Sequence, residues 1–212
     1  IKDNGGYSAP LFYRGFPKSS CTSVNHVVCH GIPSNKYLSE GDIVNIDVTA
    51  IVNGWHGDTS RMFFVGDASV KSKNLVSTTY VSMMKAISII KNGIHLGDLG
   101  EAIQTHVEKN GFSVVRDFCG HGIGKTFHLP PNILHYGKKG EGIKLETGMI
   151  FTVEPMINEG VYNTKLLKDG WTAVTKDKTL SAQFEHTVGV TKEGFEIFTK
   201  SKKNYEQPPY QI

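Results

Sequence analysis

The chain has 212 residues, 39% hydrophobic and 20% charged, the composition of an ordinary globular protein with length enough for a sizeable core. A net charge of +3 without any dense Lys/Arg block does not imply nucleic-acid binding, and no apolar run approaches the ~18 residues of a membrane span. The three cysteines, Cys21, Cys29 and Cys119, form neither an even set nor a CxxC pair, which argues for a reducing, cytoplasmic compartment.

The first clear element is a hairpin. Residues 43–52 (IVNIDVTAIV) are rich in β-branched side chains and end at Asn53-Gly54, a strong signal for a two-residue turn. That turn sets Val52 opposite Trp55 and Thr49 opposite Asp58. Asp47 and Asp58 then become diagonal neighbours on one face, their Cα atoms about 7–8 Å apart. Asn45 and Thr49 share that face, while Val44, Ile46, Val48, Ala50 and Val52 are expected to point into a core. Two adjacent carboxylates are either the solvated side of the hairpin or a compensated pair. Downstream, residues 72–91 carry Leu75, Val76, Tyr80, Met83, Ile87 and Ile90 at helical spacing. A second helix is expected from Asp98, where Asp98-x-x-Glu101 reads as a capping box, to about Gly111. Ser181 to Val190 reads as one strand, with Gln183, Glu185 and Thr187 on one face and Phe184 and Val188 on the other. Residues 200–212 are polar and proline-bearing, an extended tail.

Aligned on itself, the chain shows a repeat. Leu38-x-x-Gly41-x-Ile43-x-x-Ile46-Asp47 matches Leu145-x-x-Gly148-x-Ile150-x-x-Val153-Glu154 with every position shifted by 107. Upstream, His30-Gly31-Ile32 echoes His121-Gly122-Ile123, and downstream Asp58-Thr59 has a looser counterpart in Glu185-His186-Thr187. Each half thus offers a His-Gly-Ile turn, a strand ending in an acid, and a later strand bearing a second acid. The helix pair precedes only the second copy, so a corresponding N-terminal helical segment, with or without a targeting sequence, is expected to be missing ahead of Ile1. Folding the halves about a pseudo-twofold axis brings Asp47, Asp58, Glu154 and Glu185 together with His121 and His30. Four unpaired buried carboxylates are prohibitive, and two divalent cations would cancel their charge. Oxygen donors with a single imidazole fit Mn, Fe, Co or Zn. Neither HExxH nor a zinc-finger spacing is present, and Gly120-x-Gly122-x-Gly124 is not a dinucleotide loop.

The stretches VNHVVCHGIP (24–33), DIVNIDVTAIVNGWHGDTSRMF (42–63), CGHGIGKTFH (119–128), GMIFTVEPM (148–156), DGWTAVTKD (169–177) and SAQFEHTVGVT (181–191) resemble the type I methionine aminopeptidases. The resemblance implies an α+β pita-bread fold: one catalytic domain of two pseudo-twofold-related halves, a curved antiparallel sheet flanked by helices. It implies that Asp58, His121, Glu154 and Glu185 hold one metal and Asp47, Asp58 and Glu185 the other, with a water or hydroxide between them as nucleophile. Glu154 would also shuttle the proton, His128 would bond the scissile amide, and His30 would contact the substrate backbone. The methionine pocket would be Tyr13, Phe16, Cys21, Phe127 and Trp171. The remaining histidines, His26, His56, His95, His106, His135 and His186, are read as structural or surface. Leu129-Pro130-Pro131 departs from the family, which usually has acidic residues before the proline.

The implied activity is removal of the initiator methionine from nascent proteins with a small second residue, by a monomer. A ribosome contact stays open, because +3 is too small to argue one. Two alternatives remain: an Xaa-Pro aminopeptidase or prolidase on the same fold, and a non-catalytic binding module. Retention of all five ligand positions speaks against the module, and the CHGIP and TVEPM contexts speak against the prolidase.

Overall fold

The computed structural model describes residues 1–210. The first half is built from β1 (Tyr7–Ser8), β2 (Cys21–Val24), β3 (Val27–Cys29), β4 (Ile43–Val52) and β5 (Trp55–Phe64). Two helices follow, α1 (Val70–Ser88) and α2 (Leu96–Lys109). The second half holds β6 (Ser113–Val114), β7 (Gly120–Gly122), β8 (Leu129–Ile133), β9 (Ile150–Val153), β10 (Met156–Asn158), β11 (Thr164–Leu166), β12 (Ala173–Thr175), β13 (Ser181–Gln183), β14 (Glu185–Val190) and β15 (Phe195–Ile197).

The main sheet runs β1-β4-β5-β14-β9-β7-β8, antiparallel throughout, with β2 also on β4 and β15 also on β14. Its centre is the seam where β5 meets β14, pairing Ser60 with Glu185 and Thr59 with His186. The strands carrying the second acid of each half are therefore direct neighbours, which is what a pseudo-twofold arrangement of the repeat requires. Two three-stranded sheets, β13-β10-β6 and β11-β12-β3, complete this α+β pita-bread fold. No helix among the described residues is long and apolar enough to cross a membrane.

The hairpin forms in the expected register, Val52 on Trp55 and Thr49 on Asp58, through Asn53 and Gly54, both at positive φ. Of the side assigned to the core, Val44 is buried as expected, Val48 and Ala50 are half-buried, and the outer positions are exposed. Ile46 and Val52 are 36% and 44% exposed, whereas Ile43, Asn45 and Thr49 are 0%, 3% and 1% exposed. The acid-bearing face is the inner one, because the second half closes over it; Asn45 Nδ2 donates to the Gln183 carbonyl across the junction.

Helix α1 begins two residues before the expected position 72, where Ser69 Oγ accepts the Ser72 N–H at 3.1 Å, and ends at Ser88, which leaves Ile90 beyond it. Leu75, Val76, Met83 and Ile87 bury its inner face in a core shared with Phe151, Val153, Phe184 and Val188. Helix α2 starts at Leu96 rather than Asp98. Asp98 occupies the third helical position and its Oδ2 accepts the His95 N–H at 2.8 Å, so the capping pair is His95-x-x-Asp98 and not Asp98-x-x-Glu101.

The expected strand over 181–190 is two strands broken at Phe184. β13 pairs with β10, and β14 with β5, β9 and β15. The chain changes sheets there, driving the Phe184 ring into the core against Tyr80 at a centroid distance of 5.3 Å. Residues 201–210 are irregular but fold back over β5 and β14. Tyr210 Oη donates to the Met62 carbonyl at 2.8 Å, its ring lies 5.1 Å from Phe63, and Glu206 Oε2 lies 3.4 Å from His186 Nε2. The last two positions of the expected tail, 211–212, lie outside the described residues.

Candidate metal centre and substrate cleft

Each acid is delivered by a different part of the sheet. Asp47 sits in β4 opposite Ser60, and Asp58 in β5 opposite Thr49, which makes them diagonal neighbours. Glu185 opens β14 beside Ser60, and Glu154 stands in the gap between β9 and β10. His121 is the middle residue of β7, not part of a turn. Its flanking glycines are dictated by packing: a Cβ on Gly120 or Gly122 would collide with the carbonyl oxygens of Thr152 or Pro130.

These residues converge. Ligand atoms of Asp58, His121 and Glu185 all lie within 4.8 Å of one another. His121 Nε2 is 3.6 Å from Glu154 Oε1 and 3.8 Å from Asp58 Oδ2. His121 Nδ1 is 3.0 Å from the Gly122 carbonyl, which can only accept, so Nδ1 carries the proton and donates. The Nε2 lone pair then faces carboxylates. Burial lowers the pKa of His121, so the ring does not answer those acids with a positive charge.

Asp58 and Glu185 are buried, and Asp47 and Glu154 are half-buried. Burial pushes Asp47 up to about 7 and Glu154 up to about 8. Asp58 and Glu185 are pushed well above the carboxylate range by burial and then by the charge of their acidic neighbours. Asp47 Oδ1 is buried without a hydrogen-bond partner. Oxygen donors and an imidazole lone pair within 4.8 Å of one another, with the orphaned Asp47 oxygen in the same cleft, are the complement of divalent cations. The residues present fit a metal.

Polar neighbours fix the donors. Thr49 Oγ1 donates to Asp58 Oδ1 at 2.6 Å. Thr187 Oγ1 accepts the Asp58 N–H at 2.9 Å and donates to the Asp58 carbonyl at 2.8 Å. Thr152 Oγ1 donates to Glu154 Oε1 at 2.8 Å and accepts the His121 N–H at 3.0 Å, so one hydroxyl touches two candidate ligands. Gln183 Nε2 donates to Glu154 Oε2 at 3.2 Å, and the Glu154 N–H donates to His135 Nε2 at 3.1 Å. Strand alternation could have found Thr152 and Gln183, two residues before Glu154 and Glu185 respectively. His135 gives no sequence signal, since its partner is a backbone amide.

Above the acids opens a cleft of about 570 Å³. Every residue expected at the site lines it: Tyr13, Phe16, Cys21, Phe127 and Trp171 with His30 and His128, over the five acid and imidazole donors. Phe16 meets Trp171 edge-on at 5.2 Å, and Tyr13 packs on Phe127 at 5.0 Å. The His128 ring lies 4.2 Å from the His121 ring, with its Nδ1 3.0 Å from Tyr13 Oη. Burial, followed by the neighbouring imidazoles His121 and His30, depresses its pKa to about 3; burial lowers that of His30. Both shifts favour the neutral imidazole. Cys119, Met156, Asn132 and Arg14 also line the cleft, beyond the residues expected from the sequence. Cys29 packs instead with Val28, Val115 and Met156, which accounts for the failure of any metal-finger reading around it.

Residues 2–192 match the profile of metallopeptidase family M24. The chain belongs to that family. The methionine aminopeptidase of Rickettsia prowazekii is 61% identical over 211 residues, covering 99% of this chain and 82% of the relative. Methionine aminopeptidase A of Synechocystis is 59% identical over 93% of the chain and 79% of the relative. A crystal structure of the Rickettsia prowazekii enzyme superposes with a TM-score of 0.93 at 62% identity, over 94% of this chain and 81% of the other. The M24 assignment and the donor cluster together make divalent-metal dependence the expected chemistry of the cleft.

Proposed function

We infer that this M24 chain is a type I methionine aminopeptidase that hydrolyses the peptide bond after an N-terminal methionine. The observation that carries the reading is a cluster of acids in a cleft that is also lined by Tyr13, Phe16, Phe127 and Trp171, with Phe16 edge-on to Trp171. We propose that Asp58, His121, Glu154 and Glu185 hold one divalent ion and Asp47, Asp58 and Glu185 a second, with Mn, Fe, Co and Zn all compatible with the donors. Bound there, such ions supply Lewis-acid charge that polarises a carbonyl and acidifies water near neutral pH.

The chain's own residues do the rest. Tyr13, Phe16, Cys21, Phe127 and Trp171 take the methionine side chain, whose thioether packs well on ring edges. Glu154, gripped at both oxygens by Thr152 and Gln183, takes the proton of the attacking water and returns it to the leaving amine. His128 donates its ring N–H to the scissile carbonyl and steadies charge on that oxygen. His30, on the opposite lip, orients the peptide backbone. We further propose that the substrates are nascent polypeptide N-termini with a small second residue, met in the cytoplasm by a monomer.

The test compares Met-Ala-Ser, Leu-Ala-Ser and an Xaa-Pro peptide on metal-replete protein. Release of methionine with little turnover of the other two is expected. Preferential cleavage of the Xaa-Pro peptide would replace this reading with a prolidase, and no cleavage of any would leave a binding module.

A further inference from the structure

Glu154 stands where the sheet is interrupted. β9 ends at Val153 and β10 begins at Met156, with Pro155 between them, and the strand pairings on either side skip Glu154. Its N–H therefore has no ladder partner, and a buried amide without one is rarely tolerated. Thr152 and Gln183 hold the carboxylate, but its aim also depends on the peptide plane from which the side chain springs. That plane is fixed by His135, whose Nε2 accepts the Glu154 N–H.

His135 is an odd choice for a purely structural position. It is 0% exposed and lies two residues beyond β8, the strand that pairs with His121-bearing β7. Because Nε2 accepts, the ring proton sits on Nδ1, and Nδ1 is buried with no partner among the described residues. A leucine or phenylalanine would fill the space without burying an unsatisfied donor. What neither could supply is an acceptor at the Nε2 position.

We propose that His135 is a positioning residue for Glu154, its Nε2 clamping the Glu154 amide so that the carboxylate faces His121 and the cleft. The inference rests on the reading of Glu154 as a metal ligand. It makes the requirement geometric: an acceptor at the distance of Nε2 suffices. Glutamine can place its amide oxygen there, while asparagine, one methylene shorter, places its oxygen near Nδ1.

The experiment uses His135→Gln, His135→Asn and His135→Leu, each made alone and together with Glu154→Ala. Calorimetry follows Mn²⁺ binding to the metal-stripped proteins, and Met-Ala-Ser turnover gives kcat and KM separately. His135→Leu and His135→Asn should lose about 10–100-fold in Mn²⁺ affinity and in kcat with KM little changed, the range for residues that orient metal ligands. His135→Gln should stay close to the wild type. In the Glu154→Ala background none of the three should weaken Mn²⁺ binding further, since the group being aimed is gone. If His135→Leu does not fold, the Gln and Asn variants, alike in polarity and different in reach, still decide. Equal behaviour of Gln and Asn, or the same loss of affinity with and without Glu154, would overturn the proposal. Unchanged Mn²⁺ affinity in Glu154→Ala alone would instead overturn the ligand assignment on which it rests.

Discussion

Replacing Asp58 by asparagine should strengthen the metal-free protein while abolishing its response to metal. The substitution is nearly isosteric, and both hydrogen-bonding positions survive it. The new amide oxygen would keep the Thr49 hydroxyl, which Asp58 Oδ1 now holds at 2.6 Å, and the new NH₂ would take the place of Oδ2, 3.8 Å from the His121 Nε2 lone pair. Only the charge is lost. Two carboxylate charges at the 4.8 Å limit separating Asp58 and Glu185 donors repel by roughly 3 kcal/mol at an effective dielectric near 20. Burial and these neighbours raise both pKa values well above the carboxylate range, so the metal-free protein meets this cost by taking up protons. Removing the acid relieves it, with Tm rising roughly 2–4 °C for each 1 kcal/mol relieved in a chain of this size. Metal acts the other way. A ligand at 100 times its Kd stabilises the wild type by about 2.7 kcal/mol, or roughly 5–10 °C. Differential scanning calorimetry of stripped and Mn²⁺-saturated samples should therefore show Asp58→Asn melting above the stripped wild type, with no further rise on adding Mn²⁺. A metal-induced rise as large as the wild type's, or a stripped variant less stable than the stripped wild type, would refute the reasoning.

Three further outcomes are expected. Thr152→Val leaves the buried His121 N–H and Glu154 Oε1 without their shared partner; it should cost about 1–3 kcal/mol in urea unfolding and about 10–100-fold in Mn²⁺ affinity by calorimetry. Phe16→Ala opens the pocket wall at a side chain only 2% exposed, so chemical denaturation should show a loss of about 3–5 kcal/mol and steady-state kinetics a higher KM for methionyl peptides. Asp98→Ala removes the acceptor of the His95 N–H at the start of α2, far from the cleft; it should lower Tm by roughly 2–4 °C, for about 1 kcal/mol, and leave turnover per folded molecule unchanged.

The hairpin and the repeat are legible in the sequence because both rest on local chemistry. Asn53-Gly54 alone sets the register that makes Asp47 and Asp58 neighbours, and the 107-residue offset pairs Asp47 with Glu154. Alternation says which residues share a face, not which face is inside. Apolar character alone sends Ile46 and Val52 inward, although Asn45 and Thr49 are the residues buried beneath the second half. The break at Phe184 is hidden for a similar reason: an apolar residue in a strand pattern does not announce that its neighbours belong to different sheets. The capping pair of α2 is offset by three residues because an acid with a polar residue three positions away can be read from either end. His135 contributes through a backbone amide, and an amide carries no mark in the sequence.

The most direct measurement is methionine release from Met-Ala-Ser by metal-stripped protein titrated with Mn²⁺, Co²⁺ and, without oxygen, Fe²⁺. Five donors in one cleft serving two ions predict negligible release without metal and a rise that saturates with added metal. Release that is undiminished after exhaustive stripping, or metal binding that leaves the same five donors untouched, would contradict the assignment of Asp47, Asp58, His121, Glu154 and Glu185 as the catalytic metal centre.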